Sequence, residues 1–122
     1  MAQVTGIGGA FLRAKDPKAL YEWYEKHLGL TRRDGCFGFD PAQQRARAVV
    51  AFFRTDADYF PVAQPAMLNF HVDDLDAMLD ALTAAGVEVD PKRDRYDFGD
   101  FGWFTDPEGN RVELWQPKEK NK

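Results

Sequence analysis

A chain of 122 residues with 44% hydrophobic and 14% aromatic side chains suffices for one compact domain and is short for two. Its net charge of −4 supplies no basic patch, which excludes nucleic acid and anionic lipid as expected partners, and no apolar run approaches the ~20 residues of a membrane helix. Cys36 is the only cysteine, so no intrachain disulfide forms and a cytoplasmic location is expected. Residues 1–60 carry nine basic and seven acidic side chains against seven and thirteen in residues 61–122, a polarity that more often serves solvation than recognition.

In chain order, Ile7 to Arg13 reads as a strand. Gly6, Gly8 and Gly9 at its start lack the third glycine and the following helix of a dinucleotide loop. Asp16-Pro17 is a helix start, with Leu20, Trp23, Tyr24 and Leu28 at helical spacing and Gly29 as the stop. His27 in its last turn complements the helix dipole. Further short strands are expected up to about residue 54, the last within Ala48 to Phe53. Thr55 to Pro65, with Tyr59, Phe60, Pro61 and Pro65, reads as an extended connection.

A second strand, Met67 to Val72, turns Leu68, Phe70 and Val72 toward helices and Met67, Asn69 and His71 to the other face. Asp73 or Asp74 opens a second helix carrying Leu75, Met78, Leu79 and Leu82 and ending at Gly86; the cluster Asp73, Asp74, Asp76 and Asp80 suits the dipole at its start. Arg93 to Asp100 is a candidate lid at a cleft mouth. Asp106 to Gly109 is a hairpin turn, and alternation beyond it sets Arg111, Glu113 and Trp115 on one face. The two halves share a register: Met67 and Gly9 differ by 58, Asp74 and Asp16 by 58, Gly86 and Gly29 by 57, which reads as a duplicated module.

Asp16-Pro17 through Trp23-Tyr24 to Leu28-Gly29-Leu30, then Phe70-His71-Val72-Asp73-Asp74-Leu75, Ala84-Ala85-Gly86-Val87 and Asp106-Pro107-Glu108-Gly109-Asn110, form a pattern that resembles the glyoxalase, bleomycin-resistance and extradiol-dioxygenase superfamily, the vicinal oxygen chelate proteins. The resemblance implies an α+β fold: two βαβββ modules forming a curled mixed sheet with a cleft, helices on the outer face. The boundaries are a single glyoxalase-like domain over 1–122, with module one at about 5–54, a linker at about 55–65 and module two at about 66–116. A homodimer is the implied assembly. Members with metal chemistry hold a divalent cation at four equivalent positions, which carry over to Gly9, a residue within Ala48 to Phe53, Met67 and Glu113. Only Glu113 suits a hard or borderline cation, and Pro41 to Thr55 contains no Asp, Glu or His. The expectation is therefore no family-type metal and no cofactor, with a divalent metal on unfamiliar ligands left open.

His71 shares a face with Glu113, and an ordinary pKa of about 6.5 suits proton transfer, although a hydrogen-bonded histidine at the rim is the plainer reading. Phe11, Trp103 and Trp115, with Tyr96, Phe98 and Phe101 nearby, offer rings for a flat ligand, and about half of such rings belong to ordinary core. Arg13 is a candidate structural partner for Glu113. The chain has no serine and no nucleophile arrangement. The expected protein is a small-molecule binder of unassigned catalytic role, with Phe11, Met67, Asn69, His71, Trp103, Glu113 and Trp115 lining the ligand site. The rivals are a drug-sequestering resistance protein, and a lyase, isomerase or dioxygenase using a metal or Glu113 and His71 as acid and base.

Overall fold

A computed structural model describes residues 2–3, 7–44 and 46–118; Gly6 and the first residue of module one lie outside the described residues. Helix α1 spans Pro17–Leu28. Asp16 caps it, its side chain accepting from the Ala19 amide at 3.1 Å, and Gly29 at φ +71° ends it in the left-handed region that glycine enters without a Cβ penalty. Strands β1 (Arg32–Arg33) and β2 (Cys36–Phe37) form a hairpin whose two central residues, Asp34 and Gly35, both have positive φ, the geometry that matches strand twist.

In module two, strand β3 (Asn69–His71) leads into α2 (Leu75–Ala84), capped by Asp74, and then into β4 (Glu88–Val89), β5 (Asp94–Tyr96), β6 (Gly99–Thr105) and β7 (Arg111–Pro117). It is a βαβββ unit whose first strand after the helix is interrupted into two short pieces, β4 and β5, that both pair with β6. The sheet runs β3-β7-β6-β4, with β5 also on β6; β3 lies parallel to β7 and every other pair is antiparallel. Leu75, Leu79 and Leu82 of α2 are buried against Phe104, Val112 and Leu114, the even-numbered face of β6 and β7. Leu68, Phe70 and Val72 join this core, as their alternation requires. The opposite face, carrying Asn69, His71, Phe101, Trp103, Glu113 and Trp115, is left for other uses.

The turn after β6 ties the modules together. Asp106, buried, accepts a hydrogen bond from the Tyr24 hydroxyl at 2.9 Å, and the Glu108 carboxylate accepts from the Lys15 and Asp16 amides at 2.7 and 2.9 Å. Gly109 completes the turn at φ +84°.

Module one departs from the expectation in extent. It supplies α1 and the hairpin, but Ile7 to Arg13 and Ala48 to Phe53, both read as strands, run without ladder partners among the described residues. Phe11 is 97% exposed and Phe52 is 96% exposed. The physical reason is that alternation specifies a face, whereas a strand also needs a neighbouring backbone, which local sequence does not supply. Among the described residues no helix is long and apolar enough to cross a membrane.

Candidate functional site

Ladder register assembles the site on the face of the sheet away from α2. Asn69 stands opposite Glu113, and Glu113 opposite Trp103, giving one row across β3, β7 and β6. The next row is His71, Trp115 and Phe101. A polar row thus lies directly beside an aromatic one.

Glu113 is only 7% exposed. Its Oε1 accepts from Asn69 Nδ2 at 2.6 Å, and its Oε2 accepts from Trp103 Nε1 at 3.0 Å and from the Tyr59 hydroxyl. Three neutral donors therefore satisfy a buried charge that would otherwise be costly. Burial first, then the bond to Glu113, pushes the Tyr59 phenol well above its ordinary value, so it remains protonated and donating. Arg13, expected as a partner for Glu113, is exposed and not among its bonded neighbours.

The aromatic row is continuous. Trp115 stacks on Phe101 with centroids 5.5 Å apart at 15°, His71 meets Trp115 edge-on at 4.9 Å, and Phe98 meets Phe101 at 5.8 Å and Tyr96 at 5.1 Å. His71, half-buried at the end of β3, has its pKa lowered by desolvation. Trp103 is flanked by two cations, with the Arg111 guanidinium 5.2 Å and the Lys92 ammonium 5.9 Å from its ring centroid.

Of the residues expected to line the ligand site, Asn69, His71, Trp103, Glu113 and Trp115 come together. Met67 lies just ahead of β3 and is half-buried. Phe11 stands apart, its ring in solvent, because its segment has no ladder. The stretch Arg93 to Asp100, expected as a lid, is instead a pinned hairpin. Arg93 bonds Asp76 and Asp80 at 2.6 and 2.9 Å, and Arg95 bonds Asp76 and Asp100, both at 2.9 Å. Asp76 in the first turn of α2 and Asp80 in its middle thus have specific arginine partners, and the helix dipole is not their main role. Sequence reasoning missed Tyr59 as a member of the site; it was visible only as an aromatic in the connection.

Of the four positions at which the family resemblance implies a divalent metal, only Glu113 carries a carboxylate or an imidazole, so the residues present do not reproduce that ligand set. A cation needs lone pairs converging on it, whereas the neighbours of Glu113 present N–H and O–H hydrogens to the carboxylate. Among the described residues no three His, Cys, Asp or Glu side chains form a group suited to a metal. A hollow of about 300 Å³ between Trp23, His27, Val87, Glu88 and Pro107 lies on the helix side, lined by none of the residues around Glu113.

Residues 6–114 match the family described as Glyoxalase/Bleomycin resistance protein/Dioxygenase superfamily. No curated protein matches the chain. Among solved structures, TnmS3, an antibiotic-binding protein from Streptomyces sp. CB03234, is similar with a TM-score of 0.61 and 22% identity, covering 97% of this chain and 100% of that one. A lactoylglutathione lyase from Agrobacterium tumefaciens is similar with a TM-score of 0.52 and 25% identity over 86% of this chain and 88% of that one. A member of the same superfamily from Sphaerobacter thermophilus DSM 20745 gives a TM-score of 0.54 and 21% identity over 95% and 98% of the two chains.

Proposed function

We propose, since the chain belongs to the glyoxalase/bleomycin resistance protein/dioxygenase superfamily, that the inner face of β3, β7 and β6 binds a flat aromatic small molecule and does so without a divalent metal. The observation that carries this reading is the pairing of two rows: a carboxylate fixed by proton donors, and beside it the stacked rings of Trp115 and Phe101. Stacked rings offer an apolar platform, and a few fixed polar groups at its edge set orientation, which is the usual anatomy of a small-molecule site. TnmS3 is named as an antibiotic-binding protein. That likeness agrees with sequestration of a planar compound, although at its level of identity the fold is what the two share.

A metal-free lyase or isomerase is the second reading, favoured by one observation. Burial lowers the pKa of His71, leaving a neutral imidazole as a base at physiological pH on the same face as Glu113. The protein would work in the cytoplasm, where the exposed thiol of Cys36 stays reduced. It would work as a homodimer, a second copy covering the apolar side chains of residues 7–14 and 47–53.

The test is quenching of tryptophan fluorescence by a panel of neutral and cationic planar compounds, with and without a chelator. Saturable quenching that a chelator leaves unchanged, and that Trp115→Ala weakens about tenfold, or about 1.4 kcal/mol, is the expected result. A panel in which no compound saturates would sink the binding reading; turnover abolished by His71→Gln would move the assignment to the second.

A further inference from the structure

We infer that Tyr59 is a built-in stand-in for the ligand, and that the molecule displacing it presents a phenolic hydroxyl to Glu113. The inference rests on the binding reading above and names its ligand class.

Tyr59 differs in kind from the other two donors to Glu113. Asn69 and Trp103 sit opposite Glu113 in the ladder, so the sheet itself holds them. Tyr59 comes from the connection, 54 residues away in sequence, on a stretch with no ladder among the described residues. Among the described residues its backbone is held at one point, where its carbonyl accepts from Arg111 Nε at 3.2 Å. The Gln64 side chain then bonds the Arg111 amide and carbonyl at 2.8 and 2.9 Å, anchoring the far end of the same segment. Tyr59 is therefore the member of the shell that can leave without breaking the sheet.

What it occupies is a complete phenol site. The ring lies edge-on to Trp103 with centroids 5.8 Å apart at 86°, it stacks on Phe53 at 5.3 Å and 23°, and the hydroxyl donates to Glu113 Oε2. When the side chain swings out, a buried carboxylate oxygen loses a donor, and an incoming ring without one would leave that oxygen short. A hydroxyl restores the bond. A cationic donor is disfavoured because Arg111 and Lys92 already flank Trp103. The phenolic proton of Tyr59 itself is held through the physiological range, so the resident donor is always present to be displaced.

Calorimetric titration of 2-naphthol and 2-methoxynaphthalene, which share a ring system and differ in the donor, tests this on wild type, Tyr59→Phe, Tyr59→Ala and Glu113→Gln. Tyr59→Ala should bind 2-naphthol at least about tenfold tighter than wild type, with the methoxy compound gaining less. Tyr59→Phe, one oxygen smaller and able to keep the fold, should tighten 2-naphthol by a lesser factor in the same direction. Glu113→Gln, which keeps one acceptor oxygen but loses the charge, should shrink the preference for the hydroxyl. Equal affinities in wild type and both Tyr59 variants, with Trp115→Ala still weakening them, would overturn the stand-in and leave the binding reading intact. Failure of both compounds to bind any variant, Tyr59→Ala included, overturns both.

Discussion

Glu113 shows how a single residue type is redirected by its neighbours. Its position at the centre of β7 suits a metal ligand, yet two ladder neighbours and one distant phenol turn it into an acceptor for neutral donors. Alternation made Glu113, Trp115, Asn69 and His71 legible as one face, because side-chain direction in a strand follows from the chain itself. Tyr59 was not legible as their companion, since a contact spanning 54 residues leaves no trace in local periodicity. His71 carries the prediction at this scale. Desolvation lowers its folded pKa below the unfolded value of 6.5, so the unfolded chain binds more protons and stability falls as pH drops below about 6.5. Asp76, Asp90 and Asp100 are also lowered, from 3.8, and their contribution is lost only at more acid pH. Urea midpoints measured between pH 7.5 and 5 should therefore decline in wild type and stay flatter in His71→Asn. Parallel curves for the two proteins would contradict the assignment.

Elements follow their local signals where those signals are local in origin. Asp16-Pro17 and Gly29, Asp74 and Gly86, and the Asp106 to Gly109 turn all fold as their chemistry dictates, because a cap or turn is satisfied within a few residues. The hairpin around β5 misled as a lid: its place at a cleft mouth suggested mobility, while the ion pairs from Arg93 and Arg95 to α2 are set by packing between elements. Close approach of α2 to the sheet depends on Gly102, where an added Cβ would fall 2.4 Å from Leu79 Cδ1 and so displace a buried side chain. Gly102→Ala should destabilise by about 1–3 kcal/mol, as overpacking in a filled core does. Pairing it with Leu79→Val should cost less than the two single changes together, because the shorter side chain clears the clash. Additive urea unfolding energies across that cycle would place the strain elsewhere.

At the scale of the molecule, the exposed apolar segments of residues 7–14 and 47–53 carry the prediction. Module two sets its first strand parallel to its last, β3 on β7, and among the described residues the outer edge of β3 has no partner strand. The corresponding segments of module one, residues 7–14 and 47–53, carry Ile7, Phe11, Leu12, Val49, Val50, Phe52 and Phe53 exposed. We propose that this apolar surface is covered by a second copy of the chain, since exposed apolar patches of this kind are what interfaces bury. In an isolated chain Phe11 and Phe52 touch almost nothing, at 97% and 96% exposure, so Phe11→Asp with Phe52→Asp would leave stability unchanged. In a dimer the same pair should split the assembly and lower Tm. Light scattering at micromolar concentration should give about twice the 13.9 kDa of one chain for wild type and a single chain for the double variant, with a wild-type Tm that rises with concentration. A wild-type monomer whose Tm ignores both concentration and the two substitutions would leave these segments as ordinary exposed chain, and the sheet of module two would then have to bind its ligand alone.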